Sequence, residues 1–282
     1  ADEPVIVRPA DESEFDGLDF VFFCGNAEEN ARWIDLRSDH GFIAVDLTQP
    51  SNQLSSGLMS IADLNSETIE EETDLIISPH PVTTALALVL APIADKVPIE
   101  LCTATVLLPA SEMDQRGIDE MFEQTVAVLN VQSPPHDVFD RQVAFNLYPD
   151  PGASGIEEYV SSQLDHLFDD RVPVSVQFLR GGTFHSYSIS LHLQVDGDLL
   201  EEELAALLSE SYPLTVAELE ESFSTVDAGG LDEILVGRVR SDPAIEGGFW
   251  LFAVADNLRR ISALNAVLLA EHLVERFGLA PN

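Results

Sequence analysis

The sequence predicts an α/β chain in two parts, half of a doubly wound parallel sheet followed by an α+β region on a mixed sheet. Three observations carry this expectation. Strand-like and helix-like periods alternate from Leu18 to Lys96, as in successive strand-helix-strand units. Beyond Val97 the strands lengthen and the gaps between them widen. No Gly-x-Gly-x-x-Gly turn joins a strand to a helix anywhere in the chain, so no pyrophosphate cradle is written in it.

In chain order, "PVIVRP" reads as a short strand, and "LDFVFFCGNAEENARWIDLRSDHGFIAVDL" as strand, helix, strand. "EETDLIISPHP" is the next strand and "VTTALALVLAPIADK" its helix. The second part opens on the strand "VPIELCTATVLLPA". Helices are expected at Gln115–Asn130, Gly155–Phe168 and Leu199–Glu210. Strands are expected near Gln142–Tyr148, Val174–Arg180, Ser186–Val195, Ile234–Arg240 and Phe249–Val254. "SVQFLRGGTFHSYSISLHLQV" alternates across a Gly181-Gly182 kink, and the glycine pairs 229–230 and 247–248 read as turns or bulges. The last helix, "NLRRISALNAVLLAEHLVERFG", is amphipathic and stops at Gly278.

Fifty Asp and Glu residues face 13 Lys and Arg, a formal net charge of −37, and Lys96 is the only lysine. That balance argues against nucleic acid as a partner, because neutralising phosphates requires clustered cations. The acids are spread along the whole chain, which suits concentrated salt better than a single docking face for a basic partner. No apolar run approaches the roughly 20 residues of a membrane span, and no basic segment precedes an apolar one at the N-terminus, so a soluble, cytoplasmic protein is expected. Cys24 and Cys102 lie in separate apolar strands and are expected as buried free thiols.

"SPHPVTTALALVLAP" places a strand-to-helix turn where α/β enzymes often keep a reactive group. Ser78, Thr83 and Thr84 are its hydroxyls, and none has a base at helical spacing. His136, Asp137 and Asp140 could ligate a metal, but they follow Pro134-Pro135 in what reads as a solvated turn. His185 and His192 are an odd number apart on a strand and point to opposite faces, so no metal site is expected. Asn257 directly precedes the last helix and reads as its N-cap.

"FDRQVAFNLYP" (Phe139–Pro149), "VGRVRSD" (Val236–Asp242) and "FWLFAVADNLRRISALNAVLLAEHLV" (Phe249–Val274), with the spacing between them, resemble aspartate-semialdehyde dehydrogenase from about Pro4 onwards. The resemblance implies an incomplete Rossmann-like parallel-sheet domain at residues 1–79 with 255–282, lacking the family's first strand-helix-strand unit. It also implies an α+β dimerisation domain with a mixed sheet at residues 80–254. In the family a cysteine thiolate attacks the aldehyde, and the thiohemiacetal is oxidised to a thioester. That cysteine's position is held here by Pro81. Leu108 stands where a glutamine orients the substrate, and Phe178 where an arginine binds its carboxylate, with Arg180 two residues on along the same strand face. The cofactor-side loop becomes Ser111-Glu112-Met113-Asp114, of the wrong sign for phosphate. His185 takes the general-base position as a vestige, and Asp256-Asn257 take the cofactor-side pair, Asn257 being vestigial.

The leading expectation is a degenerate, non-enzymatic member of the family, resembling its known non-catalytic paralogues most in "FWLFAVADN". Such a chain has no cofactor and no catalytic residue. It acts as a structural or regulatory subunit, a homodimer or a heterodimer with a related paralogue. The first alternative is an NADP-dependent aspartate-semialdehyde dehydrogenase of amino-acid biosynthesis, seen as a truncated chain. The second is a small-anion sensor that uses Arg180 and His185 in the old substrate cleft.

The charge alone sets one outcome. Like-charge repulsion is strong in dilute buffer, where the Debye length is about 30 Å at 0.01 M, and weak at 1 M, where it is about 3 Å. The melting temperature is expected to climb steadily with potassium chloride up to molar concentrations. A plateau by a few tenths molar, with stabilisation by a basic protein at low salt, would point to a docking face instead. A flat series would contradict both readings.

Overall fold

The computed structural model describes residues 9–48, 57–218 and 221–278. The expected strand "PVIVRP" therefore lies almost wholly outside the described residues. By contacts the chain divides into two compact units, Ala1–Ser78 with Leu268–Asn282, and Pro79–Val267. Residues 255–267 thus group with the second unit.

In the first unit, β1 (Phe20–Phe23), α1 (Ala27–Ile34), α2 (Arg37–His40) and β2 (Ile43–Asp46) form the expected strand-helix-strand run. The Asn26 side chain accepts the Glu28 and Glu29 amides at 2.9 and 3.2 Å and so fixes where α1 starts. Short β3 (Leu58–Met59) and α3 (Ala62–Asn65) precede β4 (Leu75–Ile77). All four strands pair in parallel in the order β1-β2-β4-β3. All three residues of β4 are buried because the sheet is covered on both sides. Leu75 and Ile77 meet Phe15, Phe23, Ile34 and Phe42 on one side. On the other, Ile76 meets Ile69 together with Leu269 and Leu273 from the chain's final helix.

The second unit opens with α4 (Pro81–Lys96), apolar all round and buried along most of its length. After β5 (Ile99–Leu108) come α5 (Asp114–Leu129), β6 (Leu147–Pro149), α6 (Ser154–Leu167), β7 (Val174–Gly181) and β8 (Tyr187–Val195). Then follow α7 (Glu201–Ser209), β9 (Leu214–Val216), α8 (Thr225–Ala228), β10 (Ile234–Ser241), β11 (Gly248–Ala255) and α9 (Leu264–Phe277). Seven strands make one mixed sheet in the order β6-β7-β5-β8-β11-β10-β9. The β7/β5 and β10/β9 pairs are parallel and the rest antiparallel.

Four local expectations are corrected. The run across Gly181-Gly182 is two strands that do not pair with each other, because β5 lies between them. Most of the expected strand Gln142–Tyr148 is turn: the Val143 and Ala144 amides donate to the Gln124 side-chain oxygen, and Phe145 has φ +57°. Cys24 is exposed, whereas Cys102 is buried and its thiol is pushed up to about 12 by that burial. The start of the final helical stretch is held by Asp256, which accepts the Leu258 and Arg259 amides at 2.9 and 3.1 Å; Asn257 is not the cap. Among the described residues no helix is long and apolar enough to cross a membrane.

The turn after α5 is held by one buried carboxylate. Glu120 on α5 accepts the backbone N–H groups of Asp137, Val138 and Phe139. Glu120→Gln turns an amide donor toward donors that need an acceptor, at a cost of about 2–3 kcal/mol. The check is the urea unfolding midpoint, and an unchanged midpoint would contradict this role.

Candidate functional site

The site is built where α4 begins. Pro81 occupies its first turn, where a missing N–H costs nothing. His80 caps the helix, its Nδ1 accepting the Val82 amide at 3.2 Å. The His80 amide and the Thr83 hydroxyl both donate to Gln163 Oε1 on α6, at 3.0 and 2.6 Å. Thr83 and Thr84 are buried. No base stands beside the Thr83 hydroxyl, since its partner is an amide oxygen. Pro81 offers no nucleophile at all. The Cys102 thiol, with its raised pKa, is not a thiolate near neutral pH.

A cavity of about 360 Å³ lies between the β5 and β7 ends and the loops after α5. Leu108, Met113, Phe139, Ile156 and Phe178 supply apolar lining, and Glu112, Asp140, Arg141, Tyr148, Asp150 and Arg180 its polar side chains. Arg180 is 6% exposed and sits over the Phe139 ring. Its Nε and Nη2 both lie 2.7 Å from one Asp150 oxygen. Glu112 accepts the Tyr187 hydroxyl and stands 3.9 Å from His80 Nε2. Burial holds the Glu112 carboxyl above the usual range, partly offset by the Tyr187 hydrogen bond and the Arg180 charge. Burial, and then the Glu112 charge, drive the Tyr187 phenol well upward. His80 is lowered to about 4 by burial. Such a cavity can hold a small molecule against apolar walls and can exchange protons through Glu112.

The sequence-derived candidates fall in three places. Leu108, Phe178 and Arg180 meet in the cavity. His185 is exposed in the bend between β7 and β8 and is not among the cavity's lining residues. Asn257 is buried, and its Oδ1 accepts the Ser111 hydroxyl and the Ser186 amide at 3.1 and 2.9 Å. His136, Asp137 and Asp140 are exposed in a loop, and no cluster of three or more His, Cys, Asp or Glu able to hold a metal exists among the described residues. Asp150, Tyr187 and Gln163 carry no signal in the sequence, because only the folded sheet brings them to the site. For His80 the proline that follows it is a signal, since it marks the first helical position.

The buried His80 sets a pH dependence. Below pH 6.5 the unfolded chain takes up a proton that folded His80 refuses until about pH 4. Its contribution to stability is therefore present above pH 6.5 and is lost as the pH falls toward 4. His80→Asn puts a capping oxygen in place of the ring nitrogen and removes the titration. Between pH 7 and pH 4 the wild type is expected to lose about 2–4 kcal/mol more unfolding free energy than H80N. Parallel pH profiles of the two proteins in urea titrations would refute this.

A family model described as "semialdehyde dehydrogenase, dimerisation domain" matches residues 90–260. The chain is 30% identical to a USG-1 protein homolog of Azotobacter vinelandii, over 96% of this chain and 83% of that one. The crystal structure of aspartate semialdehyde dehydrogenase II from Vibrio cholerae superposes with a TM-score of 0.88 at 27% identity, covering 93% of this chain and 82% of that one. An aspartate-semialdehyde dehydrogenase structure with NADP, from Candida albicans, shares the fold with a TM-score of 0.70 at 16% identity, covering 90% of this chain and 77% of that one. The expectation of no cofactor is corrected on that finding, since the Candida albicans enzyme that shares this fold has NADP in its structure. The corner that the resemblance turned toward a nucleotide nevertheless does not fit a pyrophosphate: Ser111 and Asn257 are bonded to each other, and the neighbouring side chain is the Glu112 carboxyl. NADP is accordingly assigned to none of these residues. By the family match and by similarity along almost its whole length, the chain belongs to the semialdehyde dehydrogenase family.

Proposed function

We propose that this chain is an aspartate-semialdehyde dehydrogenase-like protein that does not run the thiol-dependent oxidation and serves as a structural or regulatory subunit of a cytoplasmic dimer. The observation that carries the reading is the closed start of α4. Pro81 stands at the position that the resemblance gives to the nucleophile, the His80 ring caps the helix, and Gln163 holds the Thr83 hydroxyl. The cavity beside it is lined by Leu108 and Phe178 where the family resemblance calls for an amide and a guanidinium, so an aldehyde there lacks the attacking group and the orienting pair that the resemblance requires at those positions. The dimeric half of the reading is supported by the match of residues 90–260 to a dimerisation domain.

An assay of phosphate-dependent NADP reduction with aspartate semialdehyde is expected to give no rate above a heat-killed control. Pro81→Cys alone is expected to leave that result unchanged, because a thiol without an oriented substrate gains little from proximity. Turnover by the wild type would overturn the proposal.

A further inference from the structure

The cavity at the β5 and β7 ends lies wholly within the second unit, and its lining says what it excludes. Two cations and three carboxylic acids stand on it, Arg141 and Arg180 against Glu112, Asp140 and Asp150. Neither cation stands alone. Arg180 gives its Nε and Nη2 to one Asp150 oxygen. Arg141 lies exposed, its guanidinium carbon 5.3 Å from the centre of the Tyr148 ring, and is next in sequence to Asp140. A carboxylate or phosphate entering here leaves water and meets a wall whose formal charge is negative or, with Glu112 protonated, zero.

Yet the wall is not apolar throughout. Arg180 Nη1 is buried and has no hydrogen-bond partner among the described residues, a cost that folded proteins seldom carry without a use. Glu112 feels the Arg180 charge without closing an ion pair on it. Its Oε2 accepts the Tyr187 hydroxyl, while its Oε1 has His80 Nε2 at 3.9 Å, beyond hydrogen-bond reach. A donor with no acceptor and a carboxyl with an oxygen to spare therefore belong to one cavity. A hydroxyl satisfies both at once, accepting from the guanidinium and donating to the carboxyl. Around this pair Leu108, Met113, Phe139, Ile156 and Phe178 offer contact to carbon. A cavity of about 150 Å³ takes one benzene ring, so one of about 360 Å³ has room for a body of two fused rings.

We propose that this cavity binds a neutral, largely apolar molecule that carries one hydroxyl, with Arg180 and Glu112 as its polar pair. The proposal rests on the regulatory half of the reading above and deepens it by naming the class of ligand. The small anion expected for Arg180 with His185 has no place in it, since His185 is exposed outside the lining and Arg180 is held by Asp150. Desolvation does the selecting. A neutral hydroxyl gives up little hydration and recovers two hydrogen bonds, whereas a carboxylate gives up far more and has no free cation to meet. A hydrocarbon of the same shape recovers neither bond and leaves the Arg180 donor orphaned.

Titration calorimetry in molar potassium chloride, where a Debye length of about 3 Å screens the charge of the chain as a whole, tests this with three compounds of one shape: 2-naphthol, naphthalene and 2-naphthoate. 2-Naphthol is expected to bind at one site per chain, at least about tenfold more tightly than either of the others. Naphthoate of equal or higher affinity would overturn the neutral class, and naphthalene of equal affinity would overturn the polar pair. No binding of any of the three, by heat or by a shift in melting temperature, would overturn the cavity as a site. Ile156→Trp puts a large ring into the cavity from a position that is 39% exposed and is expected to abolish 2-naphthol binding. Met113→Trp, from a position 40% exposed, takes its place if that variant fails to fold. Undiminished binding in the folded variant would overturn the location. Each of these failures leaves the reading above standing, because that reading falls to turnover of the aldehyde.

Discussion

One side-chain oxygen fixes the start of α4. Gln163 Oε1 receives both the His80 amide and the Thr83 hydroxyl, tying the first turn of a buried apolar helix to α6. Helix N-termini leave unpaired N–H groups, and in α/β enzymes those groups and the helix dipole commonly face a reacting anion. Here a proline removes one donor and the His80 ring takes another. Two of the positions that would face an anion are thus taken up by the chain itself. The lowered pKa of His80 and the raised pKa of Glu112 have one cause, since both groups are largely buried there.

The cavity inherits its character from this arrangement. Its buried cation, Arg180, is paired with Asp150, and its Glu112 carboxyl accepts the Tyr187 hydroxyl. One ion pair, Arg180 with Asp150, and one carboxyl–phenol hydrogen bond, Glu112 with Tyr187, thus stand along the wall with Phe139 and Phe178. A buried pair of this kind costs desolvation and returns it only while both partners stay in place, which makes the wall rigid more than it makes it stable.

Much of the architecture could be read from periodicity because each part obeys one rule. The first unit alternates strand and helix and is covered on both sides of its sheet, so its strands are continuous apolar runs. The long strands of the second unit alternate cleanly because one face is buried. What stayed hidden was non-local. That β5 lies between β7 and β8 depends on pairing across more than 70 residues, and the Gly181-Gly182 run reads equally well as a kinked hairpin. The turn at Gln142–Asn146 resembles a strand because nothing local announces Glu120 and Gln124, whose side chains take the backbone groups a neighbouring strand would have taken. At the site, Pro81, Leu108, Phe178 and Arg180 were legible from the resemblance. Asp150, Tyr187 and Gln163 were not, since a lone polar residue says nothing about its partner until the sheet is formed. His185 illustrates the converse, a conspicuous sequence candidate that the fold leaves on an exposed bend.

The central claim is that nothing at the start of α4 attacks an aldehyde. Intact-mass analysis of the protein after incubation with aspartate semialdehyde and NADP, with phosphate left out, tests it most directly. By the chemistry that the family resemblance implies, an attacking group would be left carrying the acyl chain when no phosphate is present to release it. Protein of unmodified mass is the expected result. A stoichiometric adduct that maps to residues 78–85 would contradict it.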